Sequence, residues 1–346
     1  MSETGIKNRP LIVPIFIPNE GCPYRCIYCQ QEKITSQSLQ DVNASTIART
    51  LDQAVQSHRF DPIRKPEVAF YGGTFTNLTT ARMKELLGAV RPYLQKGLFN
   101  SIRFSTRPDS IHNKPLDMLR NMGVSTVELG AQSMVDEVLK QSRRGHTSQD
   151  TVESVQLLKE FGFKVGVQLM PGLPGDTQER FMQTVQKVIR LRPDMVRLYP
   201  TIVLKGTVLE KWFQEKRYHP MPLAGAVKIC QESCIRLEDN GIPVIRIGLM
   251  SSKTLLEDNQ IVAGPWHKAF GFLVRSEIYQ QRIESYLPEW GAAAEIGLRV
   301  PHKELPLVRG YKNRGLRSIE EKTGAKVIKV TGDDTVPPGQ VVVNSL

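Results

Sequence analysis

Short apolar segments with β-strand character alternate with amphipathic helical patterns through most of this chain. The predicted strands cover residues 11–17, 67–71, 101–105, 124–129, 164–169 and 195–199, and residues 243–247 are a seventh candidate. Helices are predicted to begin after Thr79 and after Thr147, because hydroxyl side chains cap helix N-termini. Alternating strands and helices form parallel sheets with right-handed crossovers. Six such units predict an α/β fold, a partial (βα)6 TIM-like barrel, with a flat doubly wound sheet as the alternative.

Glycine-rich or polar motifs follow each of the six predicted strands. They occupy residues 22–29, 72–75, 105–109, 130–133, 171–175 and 199–201. The carboxyl ends of parallel strands meet at one edge of a barrel, and chemistry in such barrels takes place there. These motifs are therefore predicted to form a single site.

Cys22, Cys26 and Cys29 form a C-x3-C-x2-C motif in the loop after the first strand. Three thiolates can bind three irons of a [4Fe–4S] cluster and leave the fourth iron without a protein ligand. The alternatives are a zinc site or reduced structural thiols. Zinc favours a fourth ligand nearby, and the nearest downstream histidine is His58. Five cysteines in 346 residues are too sparse, and odd in number, for a disulfide framework.

This cysteine spacing resembles that of the radical S-adenosylmethionine (radical SAM) superfamily, and Tyr28 stands where that family often has an aromatic residue. The resemblance implies a partial barrel that holds a [4Fe–4S] cluster and S-adenosylmethionine, whose amino and carboxylate groups chelate the open iron. It also implies an electron donor, because the reduced cluster cleaves S-adenosylmethionine to a 5′-deoxyadenosyl radical that abstracts hydrogen. The cofactor supplies that chemistry, and the protein positions it.

Nine residues at or near the strand ends are predicted to bind the cofactor. Gly72 and Gly73 let backbone approach a ligand closely. The resemblance implies that their motif binds the methionine amino group, although Thr74 replaces the usual acidic residue. Glu128 lies in an apolar strand, which favours a ligand or an arginine partner. Arg144 could bind a carboxylate with two hydrogen bonds, and Lys164 could contact the cofactor or cap the end of the barrel. The remaining three are Ser105, Gln132 and Tyr199. No residue is assigned as catalytic.

A longer string of motifs resembles the radical SAM domain of Elongator catalytic subunits, which modify the wobble uridine of tRNA. The string comprises residues 73–75, 105–109, 127–133, 144–147, 163–165, 170–175, 199–201 and 203–207, within a resemblance that covers roughly residues 10–280. It implies tRNA or another RNA as the substrate. Three departures are a shorter first cysteine gap, Ser105 in place of an acidic residue, and a chain that stops without an acetyltransferase domain. We therefore expect a different substrate or second reactant, the latter from a separate protein.

Residues 299–346 form a basic segment of distinct character. The pattern predicts a strand ending at residue 300, a helix at 304–309, a turn at 310–313, a helix around 316–323 and strands at 326–330 and 340–343. This order resembles a minimal KH RNA-binding fold, with Asn313 in place of the second glycine of the G-x-x-G loop. The predicted RNA-binding residues are Arg309, Lys312, Arg314 and Arg317. The alternative is a small α/β cap with a solvated basic face.

A formal net charge of +11 permits binding to a polyanion. The segment 11–17 is too short for a membrane span, and it lacks a secretory cleavage pattern, so a cytoplasmic location is expected. The predicted division is an N-terminal extension (1–10), the barrel (11–250), a barrel-completing substrate-mouth segment (251–298) and the basic appendage (299–346). Three functions stay open: a radical SAM enzyme acting on RNA, one acting on a small molecule, and a noncatalytic RNA-binding protein with a structural cluster.

Overall fold

The computed structural model describes residues 10–31, 42–58, 60–249, 255 and 260–345. The chain forms two compact units. The larger comprises Ser2–Pro222 and Arg236–Trp266, and the smaller comprises Leu223–Ile235 and His267–Leu346. The division of the sequence at residues 10, 250 and 298 stays a prediction. Residues 1–9 of the proposed N-terminal extension, and most of residues 250–259, lie outside the described residues.

Nine strands lie in the described part of the larger unit. They are β1 (Ile12–Phe16), β2 (Glu67–Tyr71), β3 (Ser101–Thr106), β4 (Val124–Gln132), β5 (Lys164–Leu169), β6 (Met195–Leu198), β7 (Val203–Leu204), β8 (Val244–Ile247) and β9 (Ile261–Ala263). Most side chains of β2 to β5 are buried, as expected for parallel strands that are covered on both faces.

The main sheet has seven parallel strands in the order β1-β2-β3-β4-β5-β6-β8. This order follows the chain, whereas a doubly wound sheet reverses direction at a switch point. The partial barrel is therefore confirmed, and the flat alternative is wrong. The sheet has one strand more than the six units predicted, because residues 243–247 supply β8, which pairs with β6 through Val196 and Val244. The strands β7 and β9 form a separate antiparallel pair.

Eight α-helices whose bounds the structure describes precede β8, and the last of them lies mostly in the smaller unit. They are α1 (Ala44–Gln56), α2 (Thr80–Gln95), α3 (Asn113–Asn121), α4 (Asp136–Gln141), α5 (Ser148–Glu160), α6 (Gln178–Leu191), α7 (Val208–Gln214) and α8 (Leu223–Asp239). The side chains of Thr79 and Thr147 accept backbone hydrogen bonds at the starts of α2 and α5, which confirms both predicted caps. Among the described residues, no helix combines the length and the apolar character that crossing a bilayer requires.

Charged side chains on one face of the main sheet form a closed network around Glu128. The Glu128 carboxylate accepts hydrogen bonds from Tyr71 Oη (2.8 Å), Arg103 Nη1 (2.9 Å) and Arg197 Nη2 (2.9 Å). Arg103 also forms an ion pair with Glu67. Because Tyr71, Glu128 and Arg197 lie on strands that are not neighbours, these contacts span the concave side of the sheet. Glu128 therefore has the arginine partner that its buried position favours.

Gly166 on β5 leaves room for this network because it has no side chain. A Cβ added at Gly166 would lie 3.1 Å from Glu128 Cγ and 3.2 Å from Met195 Cγ. Burial, reinforced by Glu128, raises the pKa of Tyr71 well above its usual value, so the phenol stays protonated and donates its hydrogen bond. Two guanidinium groups and two carboxylates thus neutralise one another within the barrel.

The smaller unit contains a β-α-α-β-β arrangement preceded by a helix. Its elements are α9 (Phe270–Ile283), β10 (Glu295–Val300), α10 (Leu305–Arg309), α11 (Arg314–Thr323), β11 (Lys326–Gly332) and β12 (Val342–Ser345). The strand β10 pairs in parallel with β11 and antiparallel with β12. Tyr279, Leu298 and Ile319 lie in its buried core. A separate C-terminal α/β unit with the predicted element order is confirmed.

Replacing Glu128 by alanine tests the importance of the barrel network. The variant leaves Arg197 buried without a carboxylate partner, so the free energy of unfolding should fall by about 3–5 kcal/mol. The matched control is Glu85→Ala, which removes the exposed Arg82–Glu85 pair on α2 and should cost less than about 1 kcal/mol. Urea denaturation of both variants measures the difference, and similar losses would contradict the proposed role of the network.

Candidate active site

The cysteine loop follows β1 and is fixed by packing around its thiols. Cys22, Cys26 and Cys29 are unpaired and partly buried. Ile27 is fully buried in an apolar cluster that includes Leu173. The Ile27 carbonyl accepts a hydrogen bond from the Leu209 amide (2.9 Å). The loop therefore presents three free thiols from a buried anchor at the carboxyl edge of the sheet.

Gly72 and Gly73 hold the first part of this loop against the end of β2. Gly72 has a φ of +96°, and a Cβ at Gly73 would lie 2.4 Å from the Glu20 carbonyl oxygen and 2.8 Å from that of Ile17. The Thr74 amide donates to the Glu20 carbonyl (2.8 Å). Only glycine permits this close backbone approach at residue 73. The glycines predicted to admit a ligand thus also position the cysteine loop.

Thr74 and Arg144 contact two of the three cysteines. Thr74 Oγ1 lies 3.3 Å from Cys22 Sγ, and Arg144 Nη1 donates a hydrogen bond to Cys26 Sγ (3.1 Å). Arg144 also donates to the Gly130 carbonyl, and its Nε is buried without a partner. Burial disfavours the guanidinium charge, but Tyr28 and Cys26 raise the pKa of Arg144. A permanent positive charge therefore lies beside the thiols, which is the environment that stabilises thiolates.

Burial, with smaller contributions from Cys26 and Cys22, raises the pKa of the Cys29 thiol to about 12, while Arg144 opposes the shift. Binding of iron must therefore displace a proton from this sulfur. Cys29 is therefore a thiol in the metal-free protein and would become a thiolate when a cation is bound.

Arg107 connects three segments of the site through its guanidinium group. Its guanidinium donates two hydrogen bonds to Asp109 (2.9 and 2.8 Å) and one to the Arg144 carbonyl. It also lies 5.0 Å from the ring centroid of Tyr24, in the cysteine loop. The Tyr24 ring covers Gly145, where a Cβ would lie 2.5 Å from a ring carbon. The end of β3, the segment between α4 and α5, and the cysteine loop thus share one cation–π and hydrogen-bonded junction. The sequence showed these motifs but not this contact.

Gln132 and Tyr199 lie at the ends of β4 and β6, on either side of β5. Gln132 Oε1 accepts a hydrogen bond from Gln168 Nε2 (3.2 Å), and its backbone has a φ of +67° where the pairing of β4 and β5 is irregular. Tyr199 Oη accepts from Arg197 Nη1 (3.3 Å). The strand order therefore brings these predicted residues to the same edge as the cysteine loop.

Ser105 and Glu128 lie side by side on neighbouring strands, and Lys164 lies at the other end of the barrel. Ser105 is in register with Glu128, whose carboxylate is held by Arg103 and Arg197. Lys164 is the exposed first residue of β5. The start of a parallel strand lies at the edge opposite the cysteine loop, so the structure does not bring Lys164 to the site. The prediction of a cofactor contact at Lys164 is corrected, and its place matches the alternative of a cap at the barrel end.

The chemistry of the donor set fits an iron–sulfur cluster, because a [4Fe–4S] cluster binds each thiolate through a different iron. Three partly buried free thiols beside the buried guanidinium of Arg144 are therefore a suitable donor set for a cluster.

The four predicted RNA-binding residues lie in the smaller unit. Arg309 ends α10, Lys312 lies in the turn, and Arg314 and Arg317 lie on α11; all four are exposed. Asn313 has a φ of +60°, a conformation that glycine adopts freely and asparagine tolerates better than most residues. The backbone explains why asparagine replaces glycine there.

The variant Gly73→Ala tests whether the glycine motif positions the cysteine loop. The added methyl group would meet two backbone carbonyl oxygens, so the loop must shift, and we expect iron content after reconstitution to fall severalfold. The control Gly88→Ala lies on α2, where a Cβ meets nothing within 4 Å; it should retain iron and gain up to about 1 kcal/mol of stability. Full iron loading in Gly73→Ala would contradict the positioning role.

The comparisons with known proteins agree with this architecture. A radical SAM C-terminal domain matches residues 193–280. A tRNA uridine(34) acetyltransferase of Dehalococcoides mccartyi is 30% identical over 233 residues, which cover 58% of this chain and 50% of that protein. Elongator complex protein 3 of Homo sapiens is 26% identical over 249 residues, or 60% of this chain and 46% of that protein. The chain thus spans about half the length of these curated relatives.

A solved structure and a family match complete the assignment. The archaeal Methanocaldococcus infernus Elp3 with an N-terminal deletion has a TM-score of 0.59 to this protein at 22% identity, and the alignment covers 78% of this chain and 63% of that one. This likeness concerns the fold. The radical SAM superfamily matches residues 16–188, half of the chain, including the cysteine loop and β2 to β5. The chain belongs to the radical SAM superfamily.

Proposed function

We propose that this protein is a radical SAM enzyme that modifies RNA, most specifically tRNA. The observation that carries the proposal is the loop with Cys22, Cys26 and Cys29, held at the carboxyl edge of a parallel partial barrel inside the region that the superfamily matches. When bound, a cluster reduced by a one-electron donor supplies the electron that cleaves S-adenosylmethionine to methionine and a 5′-deoxyadenosyl radical, which abstracts hydrogen from the substrate.

The chain's own residues hold and orient the cofactors. The three thiols ligate the cluster, and Arg144 provides a compensating positive charge beside Cys26. Gly72 and Gly73 position the cysteine loop, and Thr74 offers a hydroxyl near Cys22. Ser105, Gln132 and Tyr199 provide further polar groups for S-adenosylmethionine near the ends of β3, β4 and β6. Glu128 acts as a positioning residue, because it holds Arg197, which in turn donates to the Tyr199 hydroxyl.

The RNA substrate is proposed from two independent features. The relatives include proteins named as tRNA uridine(34) acetyltransferases, and the chain carries a formal net charge of +11, which favours polyanionic partners. A second reactant would come from a separate protein. Cys22, Cys26 and Cys29 form no disulfide, which supports a reducing, cytoplasmic location.

Cysteine substitution tests the cluster assignment. Cys26→Ala should lower the iron content from about four atoms per chain to near zero and abolish formation of 5′-deoxyadenosine. The matched control is Cys230→Ala, which removes a fully buried thiol on α8 outside the motif and should retain both iron and activity. The measurement is anaerobic reconstitution with iron and sulfide, followed by reduction with S-adenosylmethionine. Activity retained in Cys26→Ala would reject the assignment.

Addition of bulk tRNA to the same assay tests the substrate. We expect the yield of 5′-deoxyadenosine to rise with tRNA, because substrate binding completes the site around the cofactor. A yield that is unchanged by tRNA would favour a small-molecule substrate. No 5′-deoxyadenosine from a fully loaded cluster, with or without tRNA, would favour a noncatalytic protein with a structural cluster.

A further inference from the structure

The turn at residues 310–313, between α10 and α11, is a tightly constrained part of the smaller unit. A Cβ at Gly310 would lie 2.7 Å from the Gly315 amide nitrogen, and a Cβ at Gly315 would lie 2.3 Å from the Val308 carbonyl oxygen. Both contacts involve backbone, which has little freedom to move aside. The two glycines therefore allow the helices to approach closely and fix the path of the turn.

Polar side chains from α9 hold the other side of this helical hairpin. Ser276 Oγ donates to the Leu307 carbonyl (2.8 Å), and Gln280 Nε2 donates to the Val308 carbonyl (2.9 Å). Both side chains are buried. They satisfy the last carbonyls of α10, which have no partner within that short helix. The exposed turn is thus carried on a rigid scaffold, as a binding site requires.

The charge on this turn is uncompensated. Residues 305–319 contain four basic residues and no acidic residue. Within the part of the chain that the structure describes, no ion pair involves Arg309, Lys312, Arg314 or Arg317. Two other basic residues of the unit are paired: Lys322 with Glu284 (2.9 Å) and Arg299 with Asp333 (2.9 Å). The turn therefore concentrates free positive charge on one surface.

The aromatic ring of Tyr311 lies in the same turn as Lys312, one of these basic residues. Tyr311 packs perpendicular to the His267 ring at a centroid distance of 4.8 Å, and Lys312 Nζ lies 5.8 Å from the Tyr311 centroid. The Ala269 amide donates to His267 Nδ1 (3.0 Å), which fixes the histidine ring. His267 thus braces Tyr311, which is partly exposed and has the Lys312 ammonium over its ring.

We propose that this turn binds single-stranded RNA, with phosphates on the four basic side chains and one base stacked on Tyr311. Free cations grouped around an aromatic ring are the combination that single-stranded nucleic acids recognise, since phosphates need positive charge and bases need a planar partner. An acidic peptide would use the charge but not the ring. The proposal rests on the proposed function for the identity of RNA as the substrate, and it adds the surface and the single-stranded form.

The test is fluorescence anisotropy of the full chain with a labelled single-stranded RNA of about ten nucleotides. It is performed without S-adenosylmethionine or reductant, so its outcome is independent of the radical chemistry. Tyr311→Ala should weaken binding about tenfold or more, because stacking of one base contributes about 1–3 kcal/mol, whereas Tyr311→Phe keeps the ring and should bind as the parent protein does. Matching thermal unfolding midpoints of the two variants would show that the fold is retained.

A triple variant tests the phosphate contacts. Replacing Lys312, Arg314 and Arg317 by glutamine should weaken binding and reduce the slope of log affinity against log salt by about 2, since each phosphate contact to a single strand contributes about 0.7. The control Arg299→Gln removes a paired arginine of the same unit and should leave both quantities unchanged. Unchanged affinity in Tyr311→Ala or in the triple variant would overturn the proposal. So would displacement of the RNA by polyglutamate at equal charge, which would assign the surface to acidic proteins.

Discussion

The close backbone contact between Gly73 and the segment that leaves β1 is the constraint on which the site depends. A side chain at this position would overlap the carbonyl oxygens of Ile17 and Glu20. The absence of a Cβ allows the Thr74 amide to bond to Glu20 and places the Thr74 hydroxyl beside Cys22. Two loops from neighbouring strands are thereby joined at the carboxyl edge, where the superfamily's chemistry takes place.

Arginine side chains connect the loops joined at Gly73 to the rest of the larger unit. Arg107 connects the end of β3 and the segment between α4 and α5 to Tyr24, and Arg144 lies directly against Cys26. Deeper in the barrel, Arg103 and Arg197 surround Glu128 and neutralise its charge. Since Arg197 also donates to Tyr199, the same network that stabilises the barrel interior orients a hydroxyl at the site edge.

Much of this architecture follows from local patterns. Strands, helix starts and the motifs after each strand were predictable because periodicity and capping are local properties. The seventh strand was less certain, since a four-residue segment such as Val244–Ile247 carries a weak signal until it pairs with β6. The partners of Glu128 and the contact of Arg107 with Tyr24 join residues distant in sequence, so no local pattern reveals them. The prediction that Lys164 contacts the cofactor did not take account of its place at the start of β5, which lies at the edge of the sheet opposite the cysteine loop.

Electron paramagnetic resonance of the reduced, reconstituted protein tests the central claim most directly. If Cys22, Cys26 and Cys29 hold three irons and leave the fourth open, S-adenosylmethionine binds that iron and changes the ligand field of the cluster. The account predicts a [4Fe–4S] signal whose g values and line shape shift when S-adenosylmethionine is added. A cluster signal that is identical with and without saturating S-adenosylmethionine would contradict an open iron site in this protein.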